Sequence, residues 1–175
     1  MSRFEKVSFE RWKADCGVKG LPEGELRQWY DSIRLPRQAT AASAGCDFCM
    51  PFNLSLEAGS TFRIATGMRW VTEPEKAERD RVLLIMPRSG LGFRYGIRLS
   101  NTVGVIDADY CDSDNEGHII ISMHNPSDKA VPLEAGKPFA QGIVVKYEIP
   151  EGAESDDSRN GGFGSTDRDG TDRQQ

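Results

Sequence analysis

The sequence predicts a mainly β domain, a sandwich or barrel of many short strands, with a short helical N-terminal extension and a flexible C-terminal arm. Three observations point there. Beyond residue 34 the apolar runs are short and rich in β-branched residues. Clusters of Gly, Pro, Asn and Asp interrupt them at intervals of about ten residues, and the pattern does not alternate strand with helix as parallel α/β folds do.

Residues 1–35 carry the helical signals. Ser8 stands as an N-cap ahead of Phe9 and Trp12, and Pro22 sits at a first-turn position before Leu26, Trp29, Tyr30 and Ile33, which share one helical face. This predicts an extension packed on the domain rather than a separate module. Residues 36–150 form the β domain, with strands expected over Thr61–Thr66, Arg81–Met86, Gly117–His124 and Gly142–Tyr147. Turns are expected at Glu57-Ala-Gly-Ser, Asn125-Pro-Ser-Asp and Glu134-Ala-Gly-Lys-Pro. Residues 151–175 hold seven acids against three arginines, with Phe163 the one large apolar side chain, too little to fold alone.

Composition narrows the function. A chain of 175 residues can bury one core, and 38% apolar residues is adequate for a β-rich one. With 22 basic against 27 acidic residues the net charge is −5, so no direct nucleic-acid binding is expected and an anionic ligand must be held by a few placed arginines. No run reaches the roughly 18 apolar residues of a membrane helix, and Met-Ser-Arg-Phe-Glu-Lys lacks an apolar signal core, so a cytoplasmic protein without membrane association is expected. Cys46 and Cys49 form a lone Cys-x-x-Cys, with Cys16 and Cys111 apart and only His118 and His124 as histidines. Reduced thiols in and around the core are the expectation, since zinc would want a second pair of ligands.

The stretch from Pro87 to Tyr110 is where chemistry is expected. Pro87-Arg-Ser-Gly-Leu-Gly is a basic turn bracketed by glycines and suited to phosphate, and Asn101-Thr-Val-Gly-Val-Ile-Asp-Ala-Asp-Tyr110 is an apolar strand delivering a carboxylate at its end. Asp109, two residues beyond Asp107, would point the same way in a strand and is the rival base. In the tail, Arg159-Asn-Gly-Gly-Phe-Gly-Ser-Thr combines an arginine fork, glycines that let amides turn on an anion, and an aromatic face for a base. It is no Walker A loop, because no Gly-Lys-Ser/Thr follows.

Five segments in order resemble the motifs of the homotrimeric dUTPases: Ser43-Ala-Gly-Cys-Asp-Phe, Pro87-Arg-Ser-Gly-Leu-Gly, Asn101 to Tyr110, Gly136-Lys-Pro-Phe-Ala-Gln141, and Arg159 to Thr166. The resemblance runs from about residue 34 to 167. It implies a jelly-roll-like β domain, a threefold ring with active sites at subunit interfaces, and Mg²⁺-assisted cleavage of dUTP to dUMP and pyrophosphate. That reaction limits uracil incorporation into DNA and supplies dUMP for dTMP synthesis.

Residue by residue, the resemblance makes Asp107 the general base and places Gln141 near the α-phosphate and the attacking water. It gives Arg88, Ser89 and Gly90 to the phosphates, and Asp47 to the waters around Mg²⁺. The hairpin from Asn101 through Gly104, Val105 and Ile106 would read uracil through its backbone, Tyr110 would stand against the deoxyribose, and His118 is counted among the substrate contacts. From the arm, Phe163 would close over the base while Arg159, Gly164, Ser165 and Thr166 reach the phosphates.

The chain departs from the family's commonest pattern in four places. Cys111-Asp-Ser-Asp-Asn-Glu-Gly replaces a direct Arg-Gly and resembles an insertion of a bacterial and phage subgroup. Cys46 stands where Tyr is usual, Lys137-Pro138 where Asp-Arg is usual, and Asp167 where Gly follows Ser-Thr. Two alternatives stand beside the hydrolase. A dCTP deaminase shares the fold, but its glutamate falls at Ser122 here. A dUTPase-like interaction protein would use residues 1–35 and the acidic segment 112–116 as contact surfaces, though it has no need of Asp107, Gln141 and the arm together.

Overall fold

Among the described residues the strands form four antiparallel sheets, and the largest positions several of the candidate site residues. The computed structural model describes residues 2–72 and 80–153. Its strands are β1 (Arg3–Lys6), β2 (Arg37–Gln38), β3 (Cys46–Cys49), β4 (Leu54–Leu56), β5 (Thr61–Ala65), β6 (Met68–Val71), β7 (Arg81–Pro87), β8 (Arg98–Leu99), β9 (Gly104–Ile106), β10 (Ile120–His124), β11 (Val131–Leu133) and β12 (Pro138–Lys146). Three short helices join them: α1 (Phe9–Asp15), α2 (Glu23–Ser32) and α3 (Ser89–Tyr95). The largest sheet has the order β2-β3-β12-β7-β9; the others are β5-β10-β8, β1-β6 and β11-β4. Among the described residues no helix is long and apolar enough to cross a membrane.

The mainly β expectation holds, and the expected strands form with shifted ends. Gly117–Ile119 stay outside β10, and β12 begins at Pro138 rather than at Gly142. All three turn clusters are turns: Ser60 N–H donates to the Glu57 carbonyl, Lys137 N–H to that of Glu134, and Ser127 N–H to the Asn125 side chain. Asn125 is fully buried, and its amide also donates to the carbonyls of Leu56 and Lys129, so one asparagine ties the ends of β10, β4 and β11.

The N-terminal residues are more deeply involved than a helical extension suggests. Residues 3–6, expected within that helical segment, form a strand, β1, in full register with β6. The Ser8 cap is present, its hydroxyl accepting from Arg11 N–H. Helix α2 starts at Glu23, one residue past Pro22, whose carbonyl accepts from Glu25 and Leu26. Trp12 is 0% exposed and donates its indole N–H to the Ala65 carbonyl, and it belongs to the same core as Trp70, Phe48 and Phe139. Trp12→Ala should therefore lower the free energy of unfolding by about 3–5 kcal/mol in a urea titration. A loss below about 1 kcal/mol would mark α1 as an appendage.

Candidate functional site

Strand β12 lies between β3 and β7 and fixes which functional side chains meet. Its Gln141 stands opposite Asp47 of β3 on one side and Met86 of β7 on the other. Arg88 follows β7 directly, held by its N–H to the Phe139 carbonyl, and its guanidinium Nη1 donates to Asp47 Oδ1 at 2.7 Å. Gln141 Nε2 reaches the Pro87 carbonyl at 3.4 Å. Arg88, Asp47 and Gln141, distant in sequence, thus form one cluster at a corner of the sheet. The Arg88 side chain remains 36% exposed, so it still offers N–H groups to an anion, while Asp47 is 13% exposed.

The motif around Arg88 is not the free turn expected from its glycines. Ser89 to Tyr95 form α3, with Arg88 as its N-cap and Gly96 closing it in the left-handed conformation. Ser89 and Gly90 are exposed in its first turn. Small residues at Gly90 and Gly92 read as loop by propensity, yet the turn is held by the amides of Leu91 and Gly92 donating to the Arg88 carbonyl.

Asp107 lies elsewhere. Strand β9 pairs with β7 through Ile106 opposite Leu83 and Gly104 opposite Ile85, so exposed Asp107 emerges alongside the start of β7, whereas Arg88 leaves its end. A seven-residue strand separates them, which at about 3.3 Å per residue is roughly 20 Å. One chain does not bring the expected base to the expected phosphate grip. Asp109 is also not on the strand: the chain turns at Asp107, whose carbonyl accepts from Tyr110 N–H, and Asp109 caps the 3₁₀ turn Tyr110–Asp112. The same-face argument for Asp109 fails because the strand ends at Ile106, before the stretch Asp107–Asp109 that the alternation assumed to be extended.

The hairpin that precedes Asp107 is tightly folded. Thr102 N–H donates to Leu99 and Val103 N–H to Asn101, with Thr102 at φ 67°, strained for a β-branched residue. Asn101 and Val105 are exposed, the latter at 59%, while Gly104 is buried. Tyr110 is 7% exposed, its O–H donating to the His118 carbonyl and accepting from Asn115 Nδ2.

His118 requires a correction. Its side chain is 0% exposed, Nε2 accepts from Gly67 N–H at 2.9 Å, and Nδ1 faces Asp15 Oδ2 at 2.6 Å. A buried imidazole with both nitrogens engaged inside the chain has nothing left to offer a substrate. Nothing in the local sequence reveals this, because its partner is more than a hundred positions away in the N-terminal helix.

Among the described residues no cluster of three metal-ligating side chains occurs, and Asp47 is the carboxylate of the Arg88–Gln141 corner. One carboxylate beside an arginine suits a hydrated Mg²⁺ that takes its direct ligands from phosphates, not a protein cage. All four cysteines are unpaired. Burial first and then the neighbouring Asp47 charge push the Cys46 and Cys49 thiols above their ordinary range, so neither is a ready thiolate.

A family model for dUTPase matches residues 31–167. The chain belongs to the dUTPase family. It is 39% identical over 142 residues to the deoxyuridine 5'-triphosphate nucleotidohydrolase of Ralstonia nicotianae, covering 77% of this chain and 90% of that one. The crystal structure of the dUTPase from Streptococcus mutans superposes with a TM-score of 0.62 at 29% identity, covering 86% of this chain and 99% of that one. A structure of the dUTPase from phage phi11 of S. aureus, concerned with coordination of a structural Mg(II) ion, shares the fold with a TM-score of 0.60 at 16% identity, over 90% of this chain and 97% of that one.

Within this dUTPase-family site the sequence did not flag Gly45. A Cβ there, just ahead of β3, would sit 2.8 Å from Gln141 Oε1, so a larger residue would displace the end of that side chain. The arm residues Arg159, Phe163, Gly164, Ser165 and Thr166 lie outside the described residues.

Burial pushes His118 below its ordinary value, against the opposing pull of the Asp15 hydrogen bond and charge. The folded state thus prefers the neutral ring. That contribution is complete above the unfolded value of 6.5 and is lost as the pH falls through the lower folded value. Thermal scans from pH 7.5 to 5 should show a fall in Tm that is shallower in His118→Gln, a variant without a titrating ring; parallel curves would show that His118 is not responsible.

Proposed function

We propose that this chain is a dUTP diphosphatase, cleaving dUTP to dUMP and pyrophosphate. The observation that carries the reading is the corner where Arg88, Asp47 and Gln141 meet, built from three motifs of a family whose curated relatives bear that activity in their names.

Arg88 spreads charge over phosphate oxygens, with Ser89 and the Gly90 amide beside it at the start of α3. Gln141 holds the α-phosphate and the water in line. Asp107 orients that water, takes its proton as the oxygen bonds to the α-phosphorus, and the bond to the bridging oxygen breaks to release pyrophosphate. Mg²⁺ bound to the triphosphate would neutralise its charge, with Asp47 meeting the ion's water shell. The hairpin Asn101–Ile106 reads the uracil edge through its backbone, its tight turn set before any ligand arrives, and Tyr110 stands against the sugar. The arm closes over the nucleotide.

Because the Arg88 corner and Asp107 lie at opposite ends of β7, the reading requires a second copy to bring an Asp107 to each corner. Strand β9 is an edge strand, and Val105 on it, Val144 and Val145 at the end of β12, and Tyr147 and Ile149 just beyond are exposed large apolar side chains. Such a face calls for an assembly, and a closed threefold ring satisfies it. The homotrimer and a cytoplasmic location are parts of this reading.

Pyrophosphate release with Mg²⁺ from dUTP, dTTP, dCTP and UTP tests it directly. Release from dUTP alone is expected, with Asp107→Asn retaining nucleotide binding and losing turnover by orders of magnitude, about 10³-fold or more. Near-normal turnover in that variant would remove Asp107 as base, and no release from wild type would favour the binding-protein alternative. Native mass spectrometry should give three chains; an active monomer would contradict sites completed between copies.

A further inference from the structure

Helix α1 precedes the residues that the family model matches, the segment 111–117 departs from the family's commonest pattern, and the structure places the two against each other. Helix α1 grips that segment at both of its ends. At the N-cap, Ser8 donates its backbone N–H and its hydroxyl to the Glu116 carboxylate at 2.7 and 2.6 Å. At the last residue, Asp15 faces the His118 ring. Since His118 Nε2 accepts from Gly67 N–H, the ring proton sits on Nδ1 and is donated to Asp15 Oδ2. Arg11, one turn back on the same helix, locks the carboxylate through both oxygens, Nε to Oδ2 at 2.9 Å and Nη2 to Oδ1 at 2.6 Å.

Between the two grips lies Gly117 at φ 68°, so close to the preceding turn that a Cβ would fall 2.5 Å from Cys111 Cα and 2.9 Å from the Tyr110 carbonyl. The clamped backbone holds Tyr110 in turn: its O–H donates to the His118 carbonyl, and Asn115 Nδ2 donates to its oxygen. Asn115 is itself fixed by Gly117 N–H donating to its Oδ1. Hydrogen bonds therefore link α1 to the Tyr110 ring, through buried His118 on the inner side and through Glu116 and Asn115 on the solvent side.

We propose that helix α1 is a brace that sets the position of Tyr110, with Asp15 and His118 as positioning residues and Ser8–Glu116 as the second grip. The inference rests on the reading that Tyr110 stands against the sugar. The brace then governs how closely the ring crowds a 2′-hydroxyl, and discrimination between dUTP and UTP depends on a helix that touches no nucleotide.

The test compares Asp15→Ala, which removes the acceptor of the His118 proton, with Asp15→Asn, which keeps an acceptor oxygen there. Two measurements are made on the full chain. In Asp15→Ala the ratio of kcat/KM for dUTP over UTP should fall about tenfold, mainly through KM for dUTP, and Asp15→Asn should recover most of it. Backbone hydrogen exchange in residues 110–118 should quicken in Asp15→Ala while β12 stays protected. An unchanged ratio, with both activities falling in step, would overturn the proposal, as would unchanged exchange in that segment. Should Asp15→Ala fail to fold, Glu116→Ala, which leaves no acceptor for the Ser8 N–H and hydroxyl, releases the solvent-side grip and is read by the same two outcomes. If wild type releases no pyrophosphate from any nucleotide, the functional reading fails by itself, and the exchange measurement still decides whether α1 holds the Tyr110 segment.

Discussion

The antiparallel ladder that places β12 between β3 and β7 is the constraint on which the site depends. Side chains in a ladder are positioned by register, and a slip of one residue would turn Gln141 to the opposite face and part it from Asp47 and the end of β7. What pins the register is burial. Phe139 and Ala140 are sealed in the core, and Gly142 packs so closely on Leu83 and Phe48 that a Cβ would collide with both. The polar corner is exact because the apolar layer behind it cannot shift.

The same sheet sets what one chain can and cannot do. Strand β7 spans seven residues, and the candidate residues Arg88 and Asp107 lie towards its two ends. In an antiparallel sheet, residues that leave opposite ends of one strand meet only if the chain doubles back or a second chain arrives. Here β9 runs along the sheet edge with Val105 exposed, which is the feature that the proposed second copy would cover.

Much of this was legible in the sequence, for reasons that differ by element. Strands β5, β7 and β10 announce themselves through β-branched runs between turn residues, and α1 through Ser8 and its two aromatics, because these are local signals. Helix α3 was hidden, since glycines at 90 and 92 disguise a turn fixed by backbone hydrogen bonds. Strand β1 was hidden because four residues carry too little pattern and are stabilised by pairing with β6. Asp47 and Gln141 could be named as site residues by resemblance, yet their meeting with Arg88 is a fact of register that no local window contains. His118, counted among the substrate contacts by resemblance, is placed for the same reason: a carboxylate over a hundred positions away holds its ring in the interior.

Gly117 carries a consequence for how such a chain can vary over descent. The segment from Cys111 to Glu116 is a surface loop, and loops of this kind tolerate insertion and deletion at small cost. The residue that closes it has no such latitude, because any side chain there would strike the backbone of Tyr110 and Cys111. What lies between can change in length, but a chain that keeps this turn against Tyr110 and Cys111 must keep a glycine where it closes.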